Sequence, residues 1–233
     1  MSEQHIDGWY FAPQRRVQLP DTFPFISTGW TYRADDPDEM RRRRFLAWGS
    51  PVFAFLHTGG VTACRVSVSG LLHAEQNQPL FKGSSITASA WYGTRFTIQW
   101  LGRATHLLQL FLCDLAEQAL AQERAADREY EPRIHDFIAL RRLAIVDMRY
   151  RDAYKRMWRQ QTSERWLYPS HPPQRMIVYS ALGPFFIGDG YRGLATQRQG
   201  LKSGLIAALM MDGGVDRELE QRITDAFAPE KER

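Results

Sequence analysis

The chain has 233 residues, 44% of them hydrophobic and 24% charged, with a net charge of +4. That is ordinary globular usage and enough length to bury a core without metal or disulfide staples, so a disordered chain is excluded. No apolar run approaches the ~20 residues of a bilayer span, so no membrane partner is expected.

The charge is lopsided in kind, with 26 Arg against 4 Lys. Arg carries a planar fork that pairs with phosphate or carboxylate at two points, although GC-rich codon usage produces the same bias and the excess runs along the whole chain. The first five residues, Met1-Ser2-Glu3-Gln4-His5, are polar and lack the apolar segment of a secretory leader. Cys64 and Cys113 are too few for a disulfide framework and sit among apolar residues, so both are expected to be reduced and buried, in a cytoplasmic protein.

In chain order, residues 1–34 are rich in aromatics and proline (Trp9, Tyr10, Phe11, Phe23, Phe25, Trp30, Tyr32) and are expected to lie over a core surface as irregular or edge structure. Asp36-Pro37-Asp38-Glu39 reads as a helix start, with Asp36 as cap, Pro37 in the first turn and Glu39 completing a capping box. This helix is expected to run to about Trp48 and stop at Gly49-Ser50-Pro51. Its Arg41, Arg42, Arg43 and Arg44 are ~100° apart and point all around the axis, so they form no single patch.

Residues 52–57 are a continuous apolar run. Thr58-Gly59-Gly60 is expected to turn it into the alternating stretch 61–69, with Cys64, Val66 and Val68 on one face, as a first hairpin. After a polar loop around Gln76-Asn77-Gln78-Pro79, Ile86, Ala88 and Ala90 alternate with Thr87, Ser89 and Trp91. Gly93-Thr94 reads as a two-residue turn, and Phe96, Ile98 and Trp100 alternate beyond it, giving a second hairpin. The two predict an antiparallel sheet with one buried face.

Thr105 suits the N-cap of a long helix whose apolar face is Leu108, Phe111, Leu112, Leu115 and Leu120 and which ends before Pro132. A second long helix is expected over 134–161. The loop Tyr168-Pro169-Ser170-His171-Pro172-Pro173 is the best candidate boundary. Beyond it, 176–179 and 185–187 read as short strands, 188–204 as glycine-rich, and 205–211 as either helix or buried strand. Val215, Leu219, Ile223 and Phe227 mark a terminal amphipathic helix. The expected fold is α+β: an antiparallel sheet from two N-terminal hairpins, packed by two long central helices and a mixed C-terminal segment ending in a helix. A domain over 1–168 and a subdomain over 174–228 would pack as one compact unit.

Two constellations could carry function. On one continuous helix, Leu143, Val146, Tyr150, Tyr154, Met157 and Trp158 would share one side, and Arg142, Arg149, Arg151, Lys155, Arg156 and Arg159 the other. Such a basic stripe beside aromatics could grip a nucleic-acid backbone. The preceding helix carries Asp114, Glu117, Glu123, Asp127, Glu129 and Glu131, and packing of the two as an αα-hairpin would satisfy those charges within the chain instead. The second constellation is Gly188-Asp189-Gly190-Tyr191-Arg192-Gly193, a G-x-G-x-x-G match in which Gly188, Gly190 and Gly193 could admit a pyrophosphate, with Asp212 as ribose acid. Gly200 and Gly204 interrupt the following helix, and too little chain remains for a doubly wound sheet, so a glycine-rich turn is the simpler reading.

His5, His57, His73, His106, His135 and His171 show no metal-ligand spacing, there is no G-x-S-x-G elbow, and no catalytic residues can be named. No metal and no cofactor are expected. The leading reading is a non-enzymatic accessory or regulatory protein that binds another protein or a nucleic acid through an Arg- and aromatic-rich surface. The alternatives are a nucleic-acid binder using 141–159 and a nucleotide-dependent enzyme using 188–193.

Overall fold

A computed structural model describes residues 4–12, 27–80, 83–183 and 191–230, with 191–197 as backbone alone. The described chain divides into two compact units, residues 1–105 with 216–233, and residues 106–215. The Pro-rich stretch 169–173, the boundary expected from sequence, lies inside the second unit.

The first unit holds a seven-stranded sheet in the order β2-β7-β4-β1-β3-β6-β5, with every pairing antiparallel. Its strands are β1 (His5–Ala12), β2 (Thr31–Arg33), β3 (Ala47–Trp48), β4 (Thr62–Ser69), β5 (His73–Pro79), β6 (Thr87–Tyr92) and β7 (Arg95–Arg103). With the helices of both units this is an α+β protein. The alternation read from sequence is the alternation of burial: Cys64, Val66 and Val68 of β4 and Phe96, Ile98 and Trp100 of β7 all lie in the core. Tyr10 and Phe96 meet edge to face at 5.3 Å, as do Phe11 and Phe55 at 5.5 Å.

Three local expectations are corrected in this unit. The run 52–57 is a helix, α2 (Pro51–Thr58), not a strand. Ser50 caps it, its Oγ accepting from the Phe53 N–H at 3.0 Å, and Gly59 closes it in the left-handed conformation at φ 64°. Val52, Phe53, Ala54 and Phe55 are all buried, so the run carries no periodicity and only its end signals distinguish helix from strand.

The helix from Pro37 ends early, as α1 (Pro37–Arg42). Phe45, Leu46, Ala47 and Trp48 are all buried, which four consecutive residues on a surface helix cannot be, and the chain enters the sheet as β3 instead. Asp36 does cap, accepting from the Asp38 N–H at 2.9 Å, but Glu39 binds the Tyr32 hydroxyl at 2.7 Å and Arg43 Nε at 2.8 Å rather than closing a capping box.

Finally, β6 and β7 do not pair with each other. The first pairs with β3 and β5, the second with β2 and β4. Gly93-Thr94 is clasped to the end of β4: a Cβ on Gly93 would lie 2.5 Å from the Ser69 carbonyl oxygen, and Thr94 Oγ1 accepts from the Leu71 N–H at 3.3 Å. The hairpin that forms is β5/β6, and β5 takes in the stretch read as a polar loop. It is an edge strand, mostly exposed and interrupted between Glu75 and Gln78, where Asn77 adopts φ 52°.

The terminal helix α8 (Val215–Phe227) buries Leu219 and Ile223 as its spacing predicts. It is tied to the start of α2 through Asp216, whose Oδ1 accepts from Ser50 Oγ at 2.8 Å and from the Val52 N–H at 3.1 Å.

Among the described residues the regular elements of the second unit are helices: α3 (Thr105–Ala125), α4 (Arg133–Val146), a 3-10 turn (Met148–Tyr150), α5 (Arg151–Glu164), α6 (Pro172–Ala181) and α7 (Tyr191–Met211). Thr105 is the first residue of α3 rather than its cap, while the predicted face (Leu108, Phe111, Leu112, Leu115, Leu120) is buried. The expected strand at 176–179 is part of α6, which Pro172 and Pro173 start well because neither must donate a backbone N–H in a first turn. The ambiguous 205–211 is the end of α7. Gly204 lets that helix approach its neighbours, since a Cβ there would sit 2.6 Å from Leu112 Cδ1 and 2.8 Å from Ser180 Cβ. The expected strand at 185–187 lies outside the described residues.

Two outcomes follow for the first unit. A Cβ at Gly60 would fall 2.3 Å from the Ala12 carbonyl oxygen and 2.6 Å from that of Phe11. Gly60→Ala is therefore expected to lower stability by about 1–3 kcal/mol in urea denaturation, because backbone rather than a side chain must move. Burial raises the Asp216 carboxyl pKa, opposed by the hydrogen bonds from Ser50 and Val52. A folded pKa above the unfolded one means that this group favours folding in acid, and that its contribution declines as pH rises through the folded pKa. Asp216→Asn keeps an acceptor oxygen, and its stability relative to wild type is expected to improve from acid to neutral pH. Denaturation midpoints across a pH series check this, and a pH-independent difference contradicts it.

Candidate functional site

The basic stretch 141–159 is two helices, not one. At Asp147 the backbone leaves the helical region (φ −135°, ψ 118°), and its carboxylate accepts from the Arg149 N–H at 2.9 Å and from Arg149 Nε at 2.8 Å. An Asp that bonds its own backbone two residues on offers the chain an alternative to the helical ladder. The same bonds from Arg149 lower the Asp147 pKa.

The break disperses the side chains that a single wheel groups together. Tyr154 of α5 turns inward, packs against the tilted ring of Phe137 at 4.9 Å and donates its hydroxyl to the Leu182 carbonyl at 2.6 Å. Arg141 is buried with its guanidinium 4.9 Å from the Tyr154 ring centroid, and burial lowers its pKa to about 10. Leu143, Val146 and Tyr150, expected beside Tyr154, point to solvent instead, as does Met148; Val146 is 62% and Met148 71% exposed.

The six candidate binding residues divide in the same way. Arg142 pairs with Asp114 of α3, as an αα-hairpin requires. Arg149 pairs with Asp147 at 2.6 Å while its side chain stays 86% exposed, and Lys155 reaches Asp152 at 3.5 Å. Arg151 is half-buried at the start of α5. Arg156 and Arg159 are exposed on α5, with no acidic partner among the described residues. A stretch of eight residues, 143–150, thus presents four large apolar side chains around Arg149, with Arg156 and Arg159 following on α5.

Of the glycine constellation, Gly188 and Gly190 lie outside the described residues and Gly193 is in the first turn of α7. The stretch 185–187, expected as the strand before this loop, likewise lies outside the described residues. Among the described residues no three His, Cys, Asp or Glu side chains are grouped to hold a metal, and no helix is long and apolar enough to cross a membrane. Both thiols are buried, and burial pushes the Cys64 pKa up to about 12 and that of Cys113 to about 11.

A cleft of about 420 Å³ opens at the loop between α3 and α4, lined by Arg124, Arg128, Tyr130, Pro132, His135 and Leu167 among others. The loop is well anchored. The Glu131 N–H donates to the Leu167 carbonyl at 2.7 Å. Arg133 bridges Glu131 and Glu164 at 2.8 and 2.7 Å, and hydrogen bonds from Gln160, Trp166 and Arg133 pull the Glu164 pKa down to about 2. Arg128 pairs at 2.6 Å with the wholly buried Glu123. In the wall of the cleft the Tyr130 hydroxyl lies 2.9 Å from His135 Nε2, and His135 Nδ1 lies 2.7 Å from a carboxylate oxygen of Glu117. Sequence reading does not find this trio, because separations of 5 and 18 residues match no motif. Only the docking of α4 on α3 brings the three groups together.

Comparison of the chain with known protein families, curated proteins and solved structures finds no match.

Iodoacetamide near neutral pH is expected to leave Cys64 and Cys113 unmodified in the native protein and to label both in urea, read by mass spectrometry, because the thiolate is the reacting form.

Proposed function

We propose that the protein is an accessory or regulatory protein that works by binding another protein at the elbow between α4 and α5. The observation that carries this reading is the exposure of Leu143, Val146, Met148 and Tyr150 within eight residues, bordered by arginines. Scattered exposed apolar residues are ordinary, but a contiguous set rimmed by charge has the composition of an interface centre. The fitting partner presents an apolar anchor bordered by carboxylates, which Arg156 and Arg159 complement. A nucleic-acid backbone is a poorer fit. Three of the six candidate cations already have a carboxylate partner in the chain, and phosphates offer nothing to Val146 or Met148.

The test is capture of a stoichiometric partner from the native host by wild type and by Val146→Asp/Met148→Asp. Both side chains are solvent-exposed, so the double variant is expected to keep its circular dichroism and melting temperature. It is expected to weaken binding by at least ~10-fold, in keeping with loss of more than 1 kcal/mol at an interface anchor. Retention of the partner by the double variant would overturn the proposal. A salt series with single- and double-stranded nucleic acid gives the other arm, and steeply salt-dependent binding that Arg156→Ala/Arg159→Ala weakens would favour nucleic acid instead.

A further inference from the structure

Glu117, His135 and Tyr130 form a chain of hydrogen bonds ending at an open cleft, well apart in sequence from the elbow. The carboxylate at 2.7 Å from Nδ1 holds the proton on that nitrogen, which leaves Nε2 as the acceptor. The Tyr130 hydroxyl, 2.9 Å from Nε2, then donates its proton to the ring and turns its oxygen lone pairs away from it. A hydroxyl within hydrogen-bond reach of a base, with that base oriented by a third group, is the arrangement that activates oxygen nucleophiles. The trio is set rigidly. Glu117 and His135 stand on two helices that Arg142 and Asp114 also join, and the loop carrying Tyr130 is fixed by Glu131 to the Leu167 backbone. Tyr130 and His135 line the cleft, whose volume of about 420 Å³ is in the range of small-molecule sites. The rest of the lining is mixed: Arg124 and Arg128 face the carboxylates of Asp127, Glu129 and Glu131, and Pro132 and Leu167 add apolar wall.

We propose that Tyr130 is the nucleophile of an acyl-transfer site that takes small carboxylic esters in this cleft. Its oxygen attacks the ester carbonyl, forming the Tyr130 Oη–C bond, as the phenolic proton passes to His135 Nε2. The C–O bond to the leaving alcohol breaks, and the imidazolium returns the proton to that alcohol. Water then attacks the acyl-tyrosine, giving one proton to His135, and the released phenolate recovers it. The net change is ester plus water to acid plus alcohol. Glu117 touches no substrate. It is a positioning residue that fixes the tautomer and stabilises the imidazolium.

The experiment is reaction of the intact protein with 4-nitrophenyl acetate, stopped by rapid acid quench to trap the acyl-tyrosine before it hydrolyses, followed by peptide mapping of every tyrosine. Tyr130 is expected to acquire acetyl on the order of 10²-fold faster than the exposed Tyr150 and Tyr179, a modest general-base effect. The excess should vanish in His135→Gln, return in part when imidazole is added to that variant, and shrink in Glu117→Gln. Tyr130→Phe should keep the fold by circular dichroism while losing the fast acetylation. Labelling of Tyr130 no faster than Tyr150, or an excess that persists in His135→Gln, would overturn the proposal. Should a variant fail to fold, the wild-type labelling ratio decides the matter alone.

Discussion

Asp114 and Glu117 stand on the same side of α3, and each receives a cationic or proton-bearing group from α4: Arg142 for the first, His135 for the second. The pairings run antiparallel, so together they set the register in which the two helices dock. Much of the second unit depends on this. The loop between the helices is held between two fixed ends, which keeps Tyr130 within reach of His135. The same contact removes Arg142 from the charge a binding partner could meet. These groups are half-buried, where a charge pair is screened less than on an open surface and where its loss leaves a carboxylate poorly solvated.

A second constraint acts at Asp147. One side chain bonding its own backbone ends α4, and the chain resumes on a new axis as α5. The inward side of the two helices then takes Arg141, Phe137 and Tyr154, while Leu143, Val146 and Met148 face outward. The elbow is therefore a product of the helix break. On an uninterrupted helix Val146 and Tyr154 would share a side, and the apolar surface that supports a binding role would face the interior.

Several elements were legible in the sequence because one signal dominated each. Phe96, Ile98 and Trp100 repeat with the period of a strand, Leu219 and Ile223 with that of a helix, and each set lies buried. The failures have a common cause. Where burial is complete, as over residues 52–55, the pattern loses its period, and the deciding information moves to the ends: Ser50 and Gly59, both visible in the sequence but read as a stop and a hairpin turn. Where strands were found, their partners were not, because a period of two says which face is buried and nothing about which strand lies alongside. Hence β6 and β7 were joined across Gly93-Thr94, though that pair is bound to the end of β4.

The sequence by itself determined the α+β class, the antiparallel sheet, the long α3 and the terminal α8, and the burial of Cys64 and Cys113. These follow from local patterns of apolar residues, which act through the hydrophobic effect without reference to a specific partner. The chain's acidic and basic helices were also visible, together with the option of mutual neutralisation. Only the tertiary structure decided which carboxylate meets which cation, where the basic stretch breaks, and that Glu117, His135 and Tyr130 converge on one cleft. Hydrogen bonds and ion pairs act over about 3 Å and depend on direction. A shift of one residue in helix register, which the sequence pattern tolerates, would undo every one of them.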